Sequence, residues 1–474
     1  MTSYTCNIFV NDDPMPQLQN LTLPANTTPQ DLQMLLNDLT EDSDNQLLYE
    51  FYIDAAPIIS SLQQLNLNAE RQLTITAVPQ SAHKVTALSR CSNDLPGHEE
   101  AVLALQFSPN SQFLASGSGD TTIRIWDTNS CTPVRILDAH KAWVLALKFS
   151  PDSQFLASAD FDGVLAVFET ANWTQIGGFN VKKSMNRWIT SISWQPDSQA
   201  FFTGGKDGSV KKWSRNGALL KVVFSASKCV TDVCCGGTHL IVSSEDCKVY
   251  IFDLISFRLL HEIRHAHWCN SVQTSQWYLC RFGVFGLLKL FEAFRPEIRK
   301  IAPEIKNLAD FEALAPEKQL ATYLKLLQNR KEMLIVTSDD HTLSIYEIQP
   351  DIKFVKKLTG HVKAVAHACF SPDGTAIASV SFDRSVRLWG ADGTFLAKFH
   401  NHASEVYRVA FSADSRYFIT CSKDSTCMLF SVKKRKMIRE LPGHADEVYC
   451  VDWSLQGELG ASAGKDRVVK IWRQ

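Results

Sequence analysis

No stretch of this sequence is apolar for long enough to cross a membrane. The most apolar run, GVFGLLKLF from Gly283 to Phe291, is short and carries Lys289. The N-terminus, MTSYTCNIFV, has neither a basic n-region nor an apolar h-region, so no signal peptide is expected. The thirteen cysteines include no C-x-x-C pair. That speaks against a zinc or disulfide framework and for small buried hydrophobes in a reducing compartment. There is no Walker A loop, no isolated catalytic triad and no cysteine–histidine metal set, so an enzyme of its own is not expected and any energy input must come from a partner. Basic residues are nearly missing from residues 1–82, which hold ten acids and one base, Arg71. Their net charge is −9, so in a chain of net −2 the remainder carries +7. An acidic head on a basic body suggests two different partners.

What is present is ordinary for a globular protein, 45% hydrophobic and 21% charged over 474 residues. That length allows two domains, or one large repeat domain with an appendage. From residue 97 the chain repeats itself. Gly97–His98 precedes LASGSGDTTIRIWD, Gly360–His361 precedes IASVSFDRSVRLWG, and Gly443–His444 precedes GASAGKDRVVKIW. In each, an Asp follows the His by 22 residues and a Trp follows the Asp by 6. The Asps stand at 120, 162, 207, 246, 340, 383, 424 and 466, which gives eight units with one long insertion in the fifth.

This pattern resembles the WD40 repeat, and the resemblance implies an eight-bladed β-propeller, four strands to a blade. It also implies buried hydrogen-bonded tetrads: His98, Ser116, Asp120 and Trp126 in blade one; His361, Ser379, Asp383 and Trp389 in blade six; His444, Ser462, Asp466 and Trp472 in blade eight. Phe168, Phe252, Tyr346 and Phe430 replace the Trp in blades two, four, five and seven, and Met185 and Ala226 stand at the His position of blades three and four. A single His–Asp pair in a cleft would be a candidate general base. The same spacing at His98, His140, His361, His402 and His444 reads as architecture.

The last repeat reaches only its third strand at VVKIWRQ, and an open edge is a liability. The segment 83–91, HKVTALSRC, alternates suitably and is expected to supply the missing strand of a propeller spanning 83–474. The insertion, around 279–332, contains a helical pattern with Leu320, Tyr323, Leu324 and Leu327 on one face and Pro316 in its first turn. An insertion this long suggests a segment projecting from one face toward a partner. Lys433, Lys434, Arg435 and Lys436 are expected in the connection between blades seven and eight, where four bases suit phosphate contact or nuclear import.

The head, residues 1–82, reads as strand, strand, helix, strand, strand. Thr28 is the N-cap, Pro29 the first helical residue and Asp31 the third, with Leu32, Leu35, Leu36 and Leu39 on one face. The order suggests an α+β ubiquitin-like β-grasp domain. Together, this head, CSNDLPGHEEAV, LASGSGDTTIRIWD, YLCRFGVF and LPGHADEVYCVDWS resemble the Notchless family of WD40-repeat ribosome assembly factors. The resemblance implies a nuclear or nucleolar, monomeric, non-membrane factor with no cofactor of its own. Its propeller would dock on precursors of the large ribosomal subunit, against rRNA and proteins. Its head, an NLE domain, would be gripped by the giant ATPase Midasin, whose metal-ion-dependent adhesion site holds a divalent cation such as Mg²⁺ and takes one acidic side chain as a ligand. Aligning IISSL puts Pro57 where the family's usual acid stands, in the loop after EFYI. Proline offers no side-chain oxygen, and Asp54 is the nearest acid, able to serve as the ligand in trans or simply to cap a turn. Competing readings are a scaffold in Notch signalling and a substrate adaptor of a ubiquitin ligase, although no F-box-like docking element is present.

Overall fold

The structure is a computed structural model that separates into two compact units, 1–84 and 85–474. It describes 3–10, 18–24, 49–53, 56–57 and 73–79 of the first, with Thr27, Asp31 and Leu32. Of the second it describes Leu88 and 90–473, apart from 180–187, 349–351 and short stretches within 290–331.

The second unit is eight four-stranded antiparallel sheets. The strands of each blade differ because their surroundings differ. Second strands such as Phe155–Asp160, Ala376–Ser381 and Tyr417–Ser422 are buried at every position and read as continuous apolar or small-residue runs. Outer strands such as Pro133–Leu137 and Lys353–Leu358 are exposed at all but their last residue and tolerate any polar side chain. The core lies between blades: Val380, Leu388 and Phe399 of blade six pack with Val409, Phe418 and Phe430 of blade seven, and Ala461 and Ile471 of blade eight pack with Leu105 and Phe107 of blade one.

The turn between second and third strands is the same device in every blade. A left-handed residue follows each repeat Asp: Thr121, Gly163, Gly208, Cys247, His341, Arg384, Ser425 and Arg467. In seven blades the carboxylate of that Asp accepts a backbone N–H two residues on, as Asp120 does from Thr122 at 2.9 Å and Asp383 from Ser385 at 2.9 Å. The Asp side chain thereby replaces a backbone partner in a tight turn, which is why Asp recurs there even where the rest of the motif is lost.

Blade eight takes its first three strands from the C-terminal end, Val448–Trp453, Gly460–Gly464 and Val469–Arg473. The fourth comes from the start of the unit, but it is Arg90–Leu95 rather than 83–91. Leu95 lies opposite Val469 and Cys91 opposite Trp472. The polar run RCSNDL looks like a turn, yet an outer strand has no buried face to demand alternation. Asp94 anchors it by accepting from Lys470 Nζ at 2.5 Å.

The first unit holds a five-stranded mixed sheet in the order Leu18–Pro24, Ser3–Val10, Leu73–Pro79, Tyr49–Ile53, Ala56–Pro57. Ser3–Val10 runs antiparallel to Leu18–Pro24 and parallel to Leu73–Pro79. Leu23, Leu32, Ile53 and Ile75 are buried. Asp31 and Leu32 are helical, while Thr28, Pro29, Leu35, Leu36 and Leu39 lie outside the described residues.

Candidate functional site

The tetrads decide what the histidines can do. In blade one, Trp126 Nε1 donates to Ser116 Oγ at 2.9 Å, Ser116 Oγ meets His98 Nε2 at 2.8 Å, and His98 Nδ1 meets Asp120 Oδ2 at 2.8 Å. Blade six repeats this with Trp389, Ser379, His361 and Asp383 at 3.0, 3.0 and 3.0 Å. Blade eight repeats it with Trp472, Ser462, His444 and Asp466 at 2.8, 2.7 and 2.7 Å. An ionised Asp needs a donor, so Nδ1 carries the proton and Nε2 accepts from the Ser hydroxyl. One neutral tautomer satisfies the whole chain. Burial lowers the pKa of His98 and His361 against the opposing pull of their aspartates, which keeps the neutral form. Burial alone would raise Asp120, but hydrogen bonds led by the Thr122 hydroxyl and the Glu99 amide hold it at about 2. Both ring nitrogens of each His are committed within its blade, so these histidines are structural.

The remaining blades vary this chemistry. His402 of blade seven reaches Asp424 and Thr420 at 2.9 and 2.8 Å. Blade two departs from the repeat spacing: His140 pairs with Asp160 at 3.0 Å, not with Asp162. Asp160 also takes the amides of Asp162 and Val164, so the turn is tied from two residues earlier. In blade three Trp213 Nε1 donates to Thr203 Oγ1 at 2.9 Å, while Met185 lies outside the described residues. In blade four Asp246 accepts from Ser227 Oγ at 3.0 Å and Tyr250 OH at 2.8 Å.

The basic cluster sits elsewhere than its sequence position suggested. Lys433, Lys434 and Arg435 lie in the turn between the third strand, Cys427–Ser431, and the outer strand, Lys436–Leu441, of blade seven; Lys436 begins that outer strand. It is therefore a turn within blade seven, not the connection to blade eight, because a whole strand still follows it. All four residues are exposed. Pro57 is not in a loop but pairs across from Tyr52, with Ala56 opposite Ile53. Asp54 lies outside the described residues.

In its described residues the insertion packs back on the propeller rather than projecting. It links Thr274 and Met333 of blade five through α1 (Trp277–Lys289), α2 (Leu308–Glu312) and α3 (Pro316–Asn329). Tyr323 and Leu327 of α3 are buried against Leu279 and Cys280 of α1, with Leu320 and Leu324 partly buried, and Tyr323 OH donates to Leu279 O at 2.9 Å. The helix starts at Pro316 as its pattern indicates, but LADFE forms a separate turn. The α1 helix lies across one mouth of the central channel. Tyr278 and Phe282 pack on Ala413 of blade seven and Leu455 of blade eight. At the kink, Gly283 has φ 54°, and a Cβ there would stand 3.0 Å from Pro151 O of blade two. Arg281 grips Asp452 of blade eight with both guanidinium ends, Nη1 to Oδ1 at 2.7 Å. Asp452 also accepts from Phe107 N at 2.8 Å, joining blade eight to blade one. At blade four, the wholly buried Glu332 meets His239 Nδ1 at 2.9 Å.

Behind α1 the channel has a volume of about 260 Å³. Its wall includes the third and fifth residues of the inner strands VLALQF, VLALKF, ITSISW, VTDVCC and CNSVQT, and the third residues of VAHACF and VYRVAF. Several of these side chains lace neighbouring blades: Gln106 accepts from Phe149 N and Gln273 from Phe370 N, both at 2.8 Å. Lys148, Asp232, His367 and Arg408 occupy the same ring. Repeat spacing did not single them out. Stacking the eight inner strands would have, because each is a charged or titratable group in an otherwise apolar or small-residue hexapeptide. Among the described residues, no three His, Cys, Asp or Glu are grouped to hold a metal ion.

The comparisons with known proteins fit this architecture. The WD domain, G-beta repeat, matches 89–127, 131–169, 180–214, 352–390, 393–431 and 435–473. The NLE (NUC135) domain matches 8–65. Protein Notchless of Drosophila melanogaster is 36% identical over 74% of this chain and 71% of its own. The Notchless protein homolog of Arabidopsis thaliana is 36% identical over 80% and 79%. Ribosome assembly protein 4 of Saccharomyces cerevisiae is 33% identical over 80% and 76%. Among solved structures, the computationally designed Ika8 protein superposes with a TM-score of 0.62 at 19% identity, covering 81% of this chain and 100% of that one, a likeness of fold alone. With an NLE domain ahead of an eight-bladed WD40 propeller and this identity over most of its length, the chain belongs to the Notchless family of ribosome assembly factors.

Proposed function

We propose that this chain is a non-catalytic assembly factor for precursors of the large ribosomal subunit, acting in the nucleus and nucleolus. The observation that carries the reading is the pairing of an NLE head with this propeller, at 33% identity to a protein named ribosome assembly protein 4 over 80% of the chain. The propeller is the docking body, held against pre-ribosomal proteins and rRNA. The exposed turn Lys433–Lys436 supplies phosphate contacts there. Charge reversal in this turn weakens particle association and flattens its salt dependence. The sheet order of the head, with first and last strands parallel at its centre, supports a ubiquitin-like domain. Its net charge of −9 suits a partner that presents a cation.

In this reading the head is bound by the adhesion site of a Midasin-type ATPase, and pulling on it remodels or releases the factor. Asp54 supplies the carboxylate oxygen to the divalent cation held by that partner, since Pro57 has none to give. The test is a pull-down of the full chain with the Midasin adhesion-site domain of the same organism, in Mg²⁺ and in EDTA. Binding that needs the metal and is lost in Asp54→Ala is expected. Metal-independent binding, or binding unchanged in the variant, overturns the role of Asp54.

A further inference from the structure

The central channel contains charge that the lacing of the blades does not use. At the fifth position of the inner strand, Gln106, Ser193, Gln273 and Asp452 each accept an N–H from the next blade. Blade two has Lys148 there, which cannot accept. Among the described residues, neither Lys148 nor Arg408 has a carboxylate within salt-bridge distance. His367 Nδ1 is buried without a hydrogen-bond partner.

The two acids within electrostatic reach of Lys148, Asp452 and Asp232, are already engaged. Asp452 is closed off by Arg281 and Phe107 N. Asp232 accepts from Ser191 Oγ at 2.8 Å, Val233 N at 2.9 Å, Ser271 Oγ at 3.2 Å and Val272 N at 3.2 Å. Half-buried Lys148 and His367 and the exposed Arg408 thus line one channel, which α1 covers on one side. Burial and then the charges of Arg281 and Arg408 push the Lys148 amine down to about 8, and burial followed by Arg408 and Lys148 pushes His367 down to about 3. Lys148 and Arg408 repel one another across the channel, with the neutral His367 imidazole between them in reach of both, and a half-buried ammonium without an ion-pair partner is costly.

We propose that the channel is a binding site for a small oxyanion of the phosphate class, held between Lys148, Arg408 and His367. The bound anion supplies the missing counter-charge, accepts from the ammonium and the guanidinium, and gives His367 Nδ1 a partner. The 260 Å³ of the channel accommodates inorganic phosphate or pyrophosphate but no folded partner. This site is separate from the exposed turn Lys433–Lys436 and does not depend on any ribosomal role.

The test is calorimetric titration of the full chain with inorganic phosphate and with pyrophosphate in a phosphate-free, low-salt buffer, with chloride as control. One saturable site per chain is expected for each phosphate. Arg408→Gln and Lys148→Gln weaken it at least tenfold. Both variants raise the melting temperature in anion-free buffer, which a folding defect cannot mimic. Asp232→Asn, which removes an opposing charge, tightens the site severalfold. Neutralising Lys433 and Lys434 leaves the affinity unchanged. Absence of a saturable site, or equal affinity in wild type and in Arg408→Gln, overturns the proposal. So does loss of binding on neutralising Lys433 and Lys434, which would place the anion on the surface turn.

Discussion

Blades eight and five solve the same problem by different means. Blade eight locks its turn through His444, Ser462, Asp466 and Trp472, each with its partners satisfied inside the blade. In blade five, His265 Nε2 is buried without a partner, Tyr346 stands for the Trp, and Asp340 turns to Lys357 Nζ at 2.9 Å instead. What blade five lacks in its turn it gains in its insertion, which ties it to blade four through Glu332, to blade two at Gly283 and to blade eight through Arg281. A closed ring needs each blade fixed to its neighbours, and a hydrogen-bonded turn is only one way to do it.

Three pairs of substitutions test that difference. The largest effect is expected from Arg281→Met, which leaves Asp452 buried without its cation. Breaking such a pair costs about 3 kcal/mol or more. The second change Asp452→Asn, which keeps an acceptor for Phe107 N, restores most of the loss. Denaturant midpoints of the two variants measure this. If Arg281→Met is neutral, the insertion is not what holds blade five. Next, both Asp466→Ala and Asp340→Ala lose their turn bonds, but Asp466→Ala also strands the buried His444 Nδ1 proton and the Ala445 amide, whereas Asp340→Ala loses besides only a contact to an exposed Lys357, so Asp466→Ala costs about 1 kcal/mol more. Equal losses would erase the distinction between the blades. The smallest effect is expected from making blade eight resemble a Phe blade. Trp472→Phe with Ser462 retained costs about 1 kcal/mol by stranding polar atoms, and adding Ser462→Ala recovers part of it.

Acid sharpens the same contrast. His98, His361 and His367 all have pKa values below their unfolded value, so the unfolded chain binds more protons as pH falls. Their contribution is complete above about pH 6.5 and is lost progressively below it. For His367 the window runs from about 6.5 down to about 3. Denaturation midpoints measured between pH 7 and pH 5 should therefore fall, and His367→Gln should flatten the slope. The lowered Asp120 adds a second loss only between about pH 4 and about 2.

Much of this was legible in the residues. The tetrads could be named because each needs four residue types at fixed offsets, and the structure joins them as the spacing implied. Blade two shows the limit: Asp160 and Asp162 both fit a carboxylate near His140, and only the path of the turn selects the earlier one. The closing strand was displaced to Arg90–Leu95 because an exposed outer strand places no pattern on its sequence. The same freedom misplaced Lys433–Lys436, since the outer strand of blade seven, KMIREL, does not announce itself as one.

Local sequence determined the repeat count, the turns and the hydrogen bonds of the tetrads, because these depend on residues within 28 positions of one another with strict chemical requirements. Family membership followed from the same repeats read together with the acidic head. Tertiary structure alone decided where the insertion lies, which acid Arg281 meets across 171 positions, and which charges share the channel. Those outcomes depend on closing the ring. Only then do side chains from eight separate strands converge on one axis, and no spacing along the chain records that distance.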